Sequence, residues 1–462
     1  MNLTLSLGVD GAATAKKRKV RDGVEVGGAG DGGDRARVMR LLQARDRLAK
    51  VELYHHDDDA GAEGGLRLMR LLLSSAAAGE VGDTHAAAVA LREVYRHASF
   101  RAGEPVQRVA AYFADALASR LLLPSPPPAA TTTRAEQFLA LTMFYQASPL
   151  YQFAHFTANQ AIVEAFEAGG RRRLHVVDFD FSFGFQWPSL IQSLSDAATN
   201  SSSHDDSGDY WDEPVSLRIT GFGTSASELR DTEARLTRFA DGCPNLRFEF
   251  EGVVNDGPED VRHNRINVDL AATVVVNLVF PAAASSRESR STLAFIRSLD
   301  PSLVFLIDKA DESNVNGATR SRNSASLLPR FAASLRYYAA VFESLHECLP
   351  ADSAERLAIE RDHLGVEISD AMAASPDHCH SDRVVDWTET LERAGFEGAR
   401  LTSRTVSQAK LLLKMKSGGC GGGFRVIEDG GGKAMSLGWR DRALITASAW
   451  RPCRRSVGKR DL

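Results

Sequence analysis

The stretch HVVDFDFSFGFQW, residues 175–187, decides the fold class. Its first four residues read as the end of a buried strand that closes with Asp178. A second acid, Asp180, and a turn with one glycine, Gly184, follow, and an apolar run of helical character begins at Trp187. This order of strand, loop and helix is typical of the first unit of α/β domains that bind nucleotides or methyl-donor cofactors.

The side chains of this loop differ from those of cofactor-binding loops. Such loops usually carry several glycines, so that the backbone can approach the cofactor closely. Phe181, Phe183 and Phe185 stand where small residues are expected, and the following strand ends in RITGFG without a carboxylate that could hold a ribose. Asp178 and Asp180 therefore either bind a methyl-donor cofactor or, as we favour, cap the turn or pair with a basic group.

The middle of the chain alternates short apolar strands with helical segments. Five strands are predicted, at residues 174–180, 215–223, 246–254, 272–280 and 302–310. Strands that alternate with helices indicate a parallel, doubly wound sheet. Four later segments are predicted to be short strands that extend this sheet in antiparallel fashion: 401–415, 421–432, 435–441 and 443–450.

The N-terminal third divides into a tail and a helical region. Residues 1–64 are rich in Gly, Ala, Asp and Arg and are predicted to be disordered. Helical periodicity follows over 66–123 and 135–168, with Leu66, Met69, Leu72 and Leu73 on one predicted face. Within the tail, a compact basic run is predicted to be a nuclear import signal rather than a solvated patch; its residues are Lys16, Lys17, Arg18 and Lys19.

Composition excludes several classes of protein. The 462-residue chain has a formal net charge of -5, which weighs against direct DNA binding, although a local basic patch remains an alternative. Its apolar runs are shorter than the roughly 20 residues of a membrane span. The five cysteines are dispersed without a CxxC pair, which favours a reducing compartment without disulfides. The cluster DHCHSD, residues 377–382, is interpreted as a polar loop, and no metal site or catalytic set is predicted.

Several segments together resemble the plant GRAS family of transcriptional regulators. Residues 174–194 are similar to its VHIID motif, carried here by Leu174, His175, Val176, Val177 and Asp178. Residues 153–166 resemble the helix before that motif, and the segments from Leu66 and at 228–240 resemble the two leucine-rich regions. Residues 331–345 and 355–368 are similar to the PFYRE region. The closing SAW motif is matched by Ser448, Ala449 and Trp450.

The resemblance implies a fold, a place and a mode of action. It implies a GRAS domain over residues 65–462, with a helical cap at 65–168 on a core at 169–462 similar to the Rossmann fold of methyltransferases that use S-adenosylmethionine. It implies a nuclear co-regulator without a cofactor, which binds DNA-binding factors, C2H2 zinc-finger proteins among them, and pairs with other GRAS proteins or itself. TGFG and ITASAW are most similar to the branch that regulates mycorrhiza and nodulation. The alternatives are a methyltransferase or small-molecule-binding protein, and a direct DNA binder.

Overall fold

The computed structural model describes most of the chain after the N-terminal tail. The described residues are 60–122, 132–181, 183–202, 214–254, 266–269, 271–281, 286–310, 327–373, 387–416 and 421–453. The basic run predicted to direct nuclear import and the polar loop at 377–382 lie outside these ranges. In this part of the chain, no helix is long and apolar enough to cross a membrane.

Helices make up the larger share of the described structure. They are α1 (Ala60–Glu80), α2 (Thr84–His97), α3 (Pro105–Leu122), α4 (Arg134–Ala147), α5 (Pro149–Gly169), α6 (Trp187–Ser202), α7 (Ala226–Ala240), α8 (Ser286–Ser298), α9 (Leu327–Cys348), α10 (Ala354–Ile359), α11 (Gly365–Ala373), α12 (Trp387–Arg393) and α13 (Ser403–Lys416). A π-helical turn, Glu360–Leu364, joins α10 to α11. The predicted helical regions at 66–123 and 135–168 are confirmed, although the first helix already begins at Ala60.

The nine strands within the described ranges form one sheet. They are β1 (Arg173–Asp178), β2 (Val215–Gly223), β3 (Leu246–Val254), β4 (Thr273–Val279), β5 (Leu303–Lys309), β6 (Phe396–Ala399), β7 (Phe424–Glu428), β8 (Ala434–Trp439) and β9 (Arg442–Pro452). Their order is β3-β2-β1-β4-β5-β9-β8-β7, with β6 paired to β9. The first five strands are parallel and β9 runs antiparallel to β5. The predicted α/β fold with a doubly wound parallel sheet is confirmed.

The antiparallel extension differs from prediction in its first segment. Residues 401–415 were expected to form a strand, but the chain forms helix α13 there. The hydroxyl of Thr402 accepts a hydrogen bond from the backbone N–H of Thr405 at 3.1 Å and so caps the helix. Thr405, Ala409 and Leu413 recur every four residues and are buried against α5. The prediction of a strand was wrong because the run of three leucines at 411–413 looks like a strand and makes the four-residue spacing hard to recognise.

Both faces of the sheet are covered by helices, as the doubly wound fold requires. One face packs against α5, α6, α7 and α13 and continues into the larger hydrophobic core. The other face packs against α8 and α12 around a smaller core that contains Val177, Val304 and Trp450. Alternate side chains of each central strand therefore enter different cores, which explains why these strands read as almost continuous apolar runs.

A layer of helices covers the carboxyl ends of the parallel strands. Two separate segments of the chain form this layer. Helices α1–α4 pack against α9–α11, which begin only at Leu327, far beyond the end of α4 at Ala147. We call these seven helices the helical cap. On α1 the buried stripe consists of Leu68, Leu72 and Ala76, while Leu66 is 52% exposed. The predicted apolar face is confirmed for Leu72, and Met69 and Leu73 pack against the same core, but the prediction was wrong for Leu66.

Candidate functional site

The carboxyl ends of the parallel strands lie side by side at one end of the sheet, beneath the helical cap, and we call this place the crevice. Strand β1 brings Asp178 to this end of the sheet, β4 carries Asn277, and β5 ends at Lys309. Doubly wound sheets bind their ligands at the carboxyl ends of the strands, at the point where the strand order reverses, which here lies between β1 and β4. The crevice is therefore the candidate functional site.

The two predicted acids lie together in the crevice. Asp178 is buried, and its Oδ1 accepts a hydrogen bond from the backbone N–H of Asp180 at 3.3 Å, so it caps the turn. Burial first, and the like charge of Asp180 second, raise the pKa of Asp178 to about 7. Asp180 keeps part of its surface exposed, but the protein packed around its carboxyl group raises its pKa to about 6, against the opposing effect of Arg134.

Three buried amide side chains fix the loop that follows β1. Gln186 Nε2 donates to Asn159 Oδ1 at 3.0 Å and to Asn277 Oδ1 at 3.2 Å. Asn277 Nδ2 donates back to Gln186 Oε1 at 3.1 Å, and Asn159 Nδ2 donates to the backbone carbonyl of Gln186 at 3.0 Å. This network joins α5, the loop and β4, and its satisfied hydrogen bonds hold the loop in one position.

Phe181 fills the space above the end of β2. A Cβ atom at Gly221 would lie 2.5 Å from Cγ of Phe181, so the ring rests directly on the backbone there. The ring centroid is 4.9 Å from that of Phe250 and 6.1 Å from that of Trp187. In cofactor-binding sheets of this kind, the backbone of the loop after the first strand approaches the ligand. Because an aromatic side chain occupies that place here, the residues present do not fit a methyl-donor cofactor.

The other two phenylalanines of the loop contact the helical cap. Phe185 stacks between Phe138 of α4, at 5.1 Å, and Tyr145 of the same helix, at 5.9 Å between ring centroids. The guanidinium carbon of Arg134 lies 3.6 Å from the ring centroid of Phe183, in cation–π geometry. The loop after β1 is therefore part of the contact between the sheet and the cap.

The residues of the VHIID-like motif form the buried strand β1. Leu174 and Val176 face the larger core, and Val177 faces the smaller one. His175 is fully buried, and its Nε2 is 2.9 Å from the hydroxyl oxygen of Thr220 on β2. Burial lowers the pKa of His175 to about 4, so this side chain is neutral at physiological pH. These contacts give the motif a structural part in the sheet.

The SAW-like motif is also part of the sheet. Ser448, Ala449 and Trp450 lie in β9, where Ala449 pairs with Phe305 of β5. The indole Nε1 of Trp450 donates to Ser448 Oγ at 2.9 Å, and its ring packs in the smaller core. The motif thus joins the antiparallel strands to the parallel ones.

A buried ionic cluster that the sequence did not predict holds the cap together. Arg108 of α3 donates through Nε to Glu360 at 2.9 Å, and Arg356 of α10 donates through Nη1 to both oxygens of Glu360 at 3.0 Å. All three side chains are almost completely buried. Arg356 Nη2 also donates to the backbone carbonyl of Arg101 at 2.9 Å. The π-helical turn places Glu360 between the two guanidinium groups.

A second unpredicted cluster lies where β5 ends beneath the cap. Lys309 Nζ donates to Glu367 Oε2 at 3.0 Å, and its distance to the hydroxyl oxygen of Tyr338 is 3.1 Å. Tyr338 in turn donates to Glu367 Oε2 at 3.0 Å. The pKa of Glu367 is lowered to about 2, because Lys309 and His363 outweigh the raising effect of burial. Lys309 and Glu367 belong to segments 58 residues apart, so only the fold reveals their pairing.

The described residues also bear on other predicted features. Cys243 and Cys453, both in these ranges, are free thiols. No group of three or more His, Cys, Asp or Glu side chains in the described ranges could hold a metal ion.

The fold and the crevice define an α/β protein with a Rossmann-like sheet, a helical cap and an aromatic side chain, Phe181, packed on the end of β2. The model of the GRAS domain family matches residues 68–451. The chain therefore belongs to the GRAS family, as its motifs predict.

Proteins similar to this chain come from several branches of the family. Protein SCARECROW 1 of Oryza sativa subsp. indica is 35% identical over 405 residues, which cover 85% of this chain and 56% of that protein. Scarecrow-like protein 28 of Arabidopsis thaliana is 35% identical, over 76% of this chain and 53% of its own length. The DELLA protein GAIP of Cucurbita maxima is 32% identical, over 84% and 63%. The chain thus spans little more than half the length of these curated relatives.

The crystal structure of SCL7 in Oryza sativa is similar in fold as well as in sequence. It superposes with a TM-score of 0.62 at 31% identity, over 83% of this chain and 99% of that one. The predicted branch of mycorrhiza and nodulation regulators stays a prediction.

Proposed function

We propose that this chain is a nuclear transcriptional regulator that acts by docking other proteins rather than by catalysis. The observation that carries the proposal is the position of Phe181, whose ring rests on Gly221 where a cofactor would lie. Membership of the GRAS family supports the regulatory role. The sheet then serves as a rigid scaffold, since the site that could perform chemistry is filled.

The geometry of the loop after β1 suits such a scaffold. Phe183 and Phe185 contact the cap, while Phe181 and the amide network contact the sheet. The loop therefore fixes the cap on the sheet, and binding surfaces on the two parts keep constant relative positions. A preorganised surface binds a partner with a smaller loss of conformational entropy.

The proposed partners are DNA-binding transcription factors, C2H2 zinc-finger proteins first, and other GRAS proteins or a second copy of this chain. Contact with DNA is indirect, through the zinc-finger partner. The net charge of -5 supports this, because a protein that binds duplex DNA by itself neutralises phosphates with clustered Lys and Arg.

A gel-shift experiment with the full chain tests the proposal. The components are a promoter fragment, a C2H2 factor that binds it, and this chain at 150 mM salt. We expect no shift with the chain alone and a slower-migrating ternary complex when the factor is present. A shift with the chain alone that weakens as salt rises would instead establish direct DNA binding. Absence of a ternary complex with every zinc-finger factor and family member tried would overturn the docking role.

Nuclear import is tested with the basic run in the tail. Alanine at Lys16, Lys17, Arg18 and Lys19 is expected to move a fluorescent fusion of the full chain toward the cytoplasm. A matched control removes four positive charges elsewhere in the tail, at Arg35, Arg37, Arg40 and Arg45. Equal distribution of both variants and the unmodified chain would show that the run carries no import signal.

A further inference from the structure

Strand β3 is an edge strand of the sheet, and its pairing with β2 is regular along its whole length. It pairs with β2 in a continuous parallel register over all nine residues, Val215–Gly223 against Leu246–Val254. In the described part of the chain, no strand pairs with its other side. An edge strand leaves backbone N–H and C=O groups on that side ready to pair with another strand.

The side chains of β3 alternate between a packed face and an exposed one. Leu246, Phe248 and Phe250 pack against the larger core. Arg247 and Glu249 point to the opposite face, are exposed, and form no ion pair with any described residue. The exposed face of this edge therefore carries two unpaired charges of opposite sign, two residues apart.

The sequence of this strand is complementary to itself. When two copies of LRFEF run antiparallel about Phe248, Arg247 of each copy lies opposite Glu249 of the other. Phe248 then lies opposite its own equivalent, and Leu246 lies opposite Phe250. Opposite charges and aromatic pairs at such positions, with Cβ atoms about 5 Å apart, stabilise antiparallel strands. The arrangement is two-fold symmetric, as an isologous dimer requires.

Other registers lack this match. Antiparallel pairing about Glu249 would place two Glu249 carboxylates opposite each other. It would also set Arg247 opposite Glu251, but that acid already pairs with Arg218 at 2.7 Å. A parallel in-register pair would set Glu249 opposite Glu249 and Arg247 opposite Arg247. Like charges directly opposite destabilise a strand pair. The charges therefore select a single register, centred on Phe248.

The edge lacks most of the features that usually protect a sheet from pairing. Protected edges are short, bulged, interrupted by proline or lined by charged side chains. β3 does carry charges, but they are of both signs and so can pair with those of a second copy. β3 has nine residues, no proline and no shift of register. The opposite edge strand, β7, has five residues, and Lys410 of the adjacent helix α13 pairs with its Glu428 at 2.6 Å.

We propose that β3 is the homodimer interface of this chain: two copies pair antiparallel about Phe248 and continue one sheet into the other. The inference rests on the self-association included in the proposed function and assigns it a surface. It does not depend on the zinc-finger partner.

The test uses the full chain and two charge variants, Arg247→Glu and Glu249→Arg. Each single variant places like charges opposite each other at both contacts of a dimer with itself, so we expect its dimer dissociation constant to rise about tenfold or more. An equimolar mixture of the two variants restores opposite charges at both contacts, and we expect it to regain the dimer. Arg230→Glu, at an exposed position on α7, makes the same charge change away from the edge and should have no effect. Sedimentation analysis over a concentration series measures all five samples, with thermal melting to check folding.

Each outcome has a distinct meaning. Recovery of the dimer only in the mixture establishes the β3 interface, since a general loss of stability in the single variants would not be reversed by mixing. A dimer that both single variants leave unchanged overturns the inference but keeps self-association, with another surface as the interface. A chain that stays monomeric at every concentration overturns both, while the binding of zinc-finger factors is unaffected.

Discussion

Glu360 and Asp178 are both buried carboxylic acids, but their surroundings have opposite character. Glu360 lies between the guanidinium groups of Arg108 and Arg356, each within 3.0 Å. Asp178 has another acid, Asp180, as its nearest charged neighbour, and burial raises its pKa to about 7. Burial raises the pKa of Glu360 above its usual range, but the two guanidinium groups oppose this and supply its counter-charge. Asp178 has no such partner and is about half protonated at pH 7.

The difference shows how two parts of the molecule are held together. The cap uses paired charges, which join Arg108 to a residue 252 positions later in the chain. Around Asp178 and the loop after β1, the crevice uses hydrogen bonds between neutral amides together with aromatic packing. Removing a negative charge should therefore have opposite effects on stability in the two regions.

The largest expected effect is at Glu360. Glu360→Gln leaves two buried guanidinium groups without a counter-charge, so we expect the free energy of unfolding to fall by about 3–5 kcal/mol. Denaturant unfolding of the full chain measures this. Glu389→Gln removes an acid from the exposed pair with Arg393 and should change stability by less than about 1 kcal/mol. Similar losses in both variants would contradict the paired-charge account of the cap.

Asp178→Asn should have the opposite sign. The folded-state pKa of about 7 exceeds the unfolded value of about 3.9. The folded protein therefore loses stability as pH rises through this window, because the buried acid must ionise. We expect the variant to be more stable than the unmodified chain, by an amount that grows by about 2–3 kcal/mol between pH 5 and pH 8. A stability difference that does not change with pH in denaturant titrations would refute the raised pKa.

A third acid, Glu367, gives the smallest expected effect. It is paired with Lys309 but remains partly exposed, and its pKa is lowered to about 2. Tyr338→Phe removes the hydroxyl that donates to Glu367, and we expect a loss of about 1 kcal/mol. Tyr337→Phe is the matched control, since that hydroxyl donates to no described residue. Equal losses at both tyrosines in unfolding experiments would show that the hydrogen bond is not the cause.

The sheet could be predicted from sequence because its strands carry their own signals. β2 and β3 have the predicted bounds, 215–223 and 246–254, and β1, β4 and β5 differ by at most two residues at either end. Short, almost continuous apolar segments between turns suit strands buried on both faces. Helix α13 was missed because Leu411, Leu412 and Leu413 resemble a strand locally, while packing against α5 decides for a helix.

The candidate site could be predicted only in part. The loop after β1 was visible because its acids and phenylalanines lie together in the sequence. The cluster of Arg108, Arg356 and Glu360 was not, because residues 252 positions apart give no local sign of contact. The low pKa of Glu367 likewise depends on Lys309, which the fold alone brings within 3.0 Å.

The position of β9 beside β5 has a consequence for synthesis on the ribosome. β5 ends at Lys309, but its neighbour in the sheet begins only at Arg442. At about 5–20 residues per second, the intervening chain takes roughly 7–27 s to be made. Throughout that interval the nascent chain presents a hydrophobic strand without its partner, the kind of surface that chaperones shield. A mutation that stops translation before β9 would make that exposure permanent, so we expect such products to be degraded rather than to persist as shortened regulators.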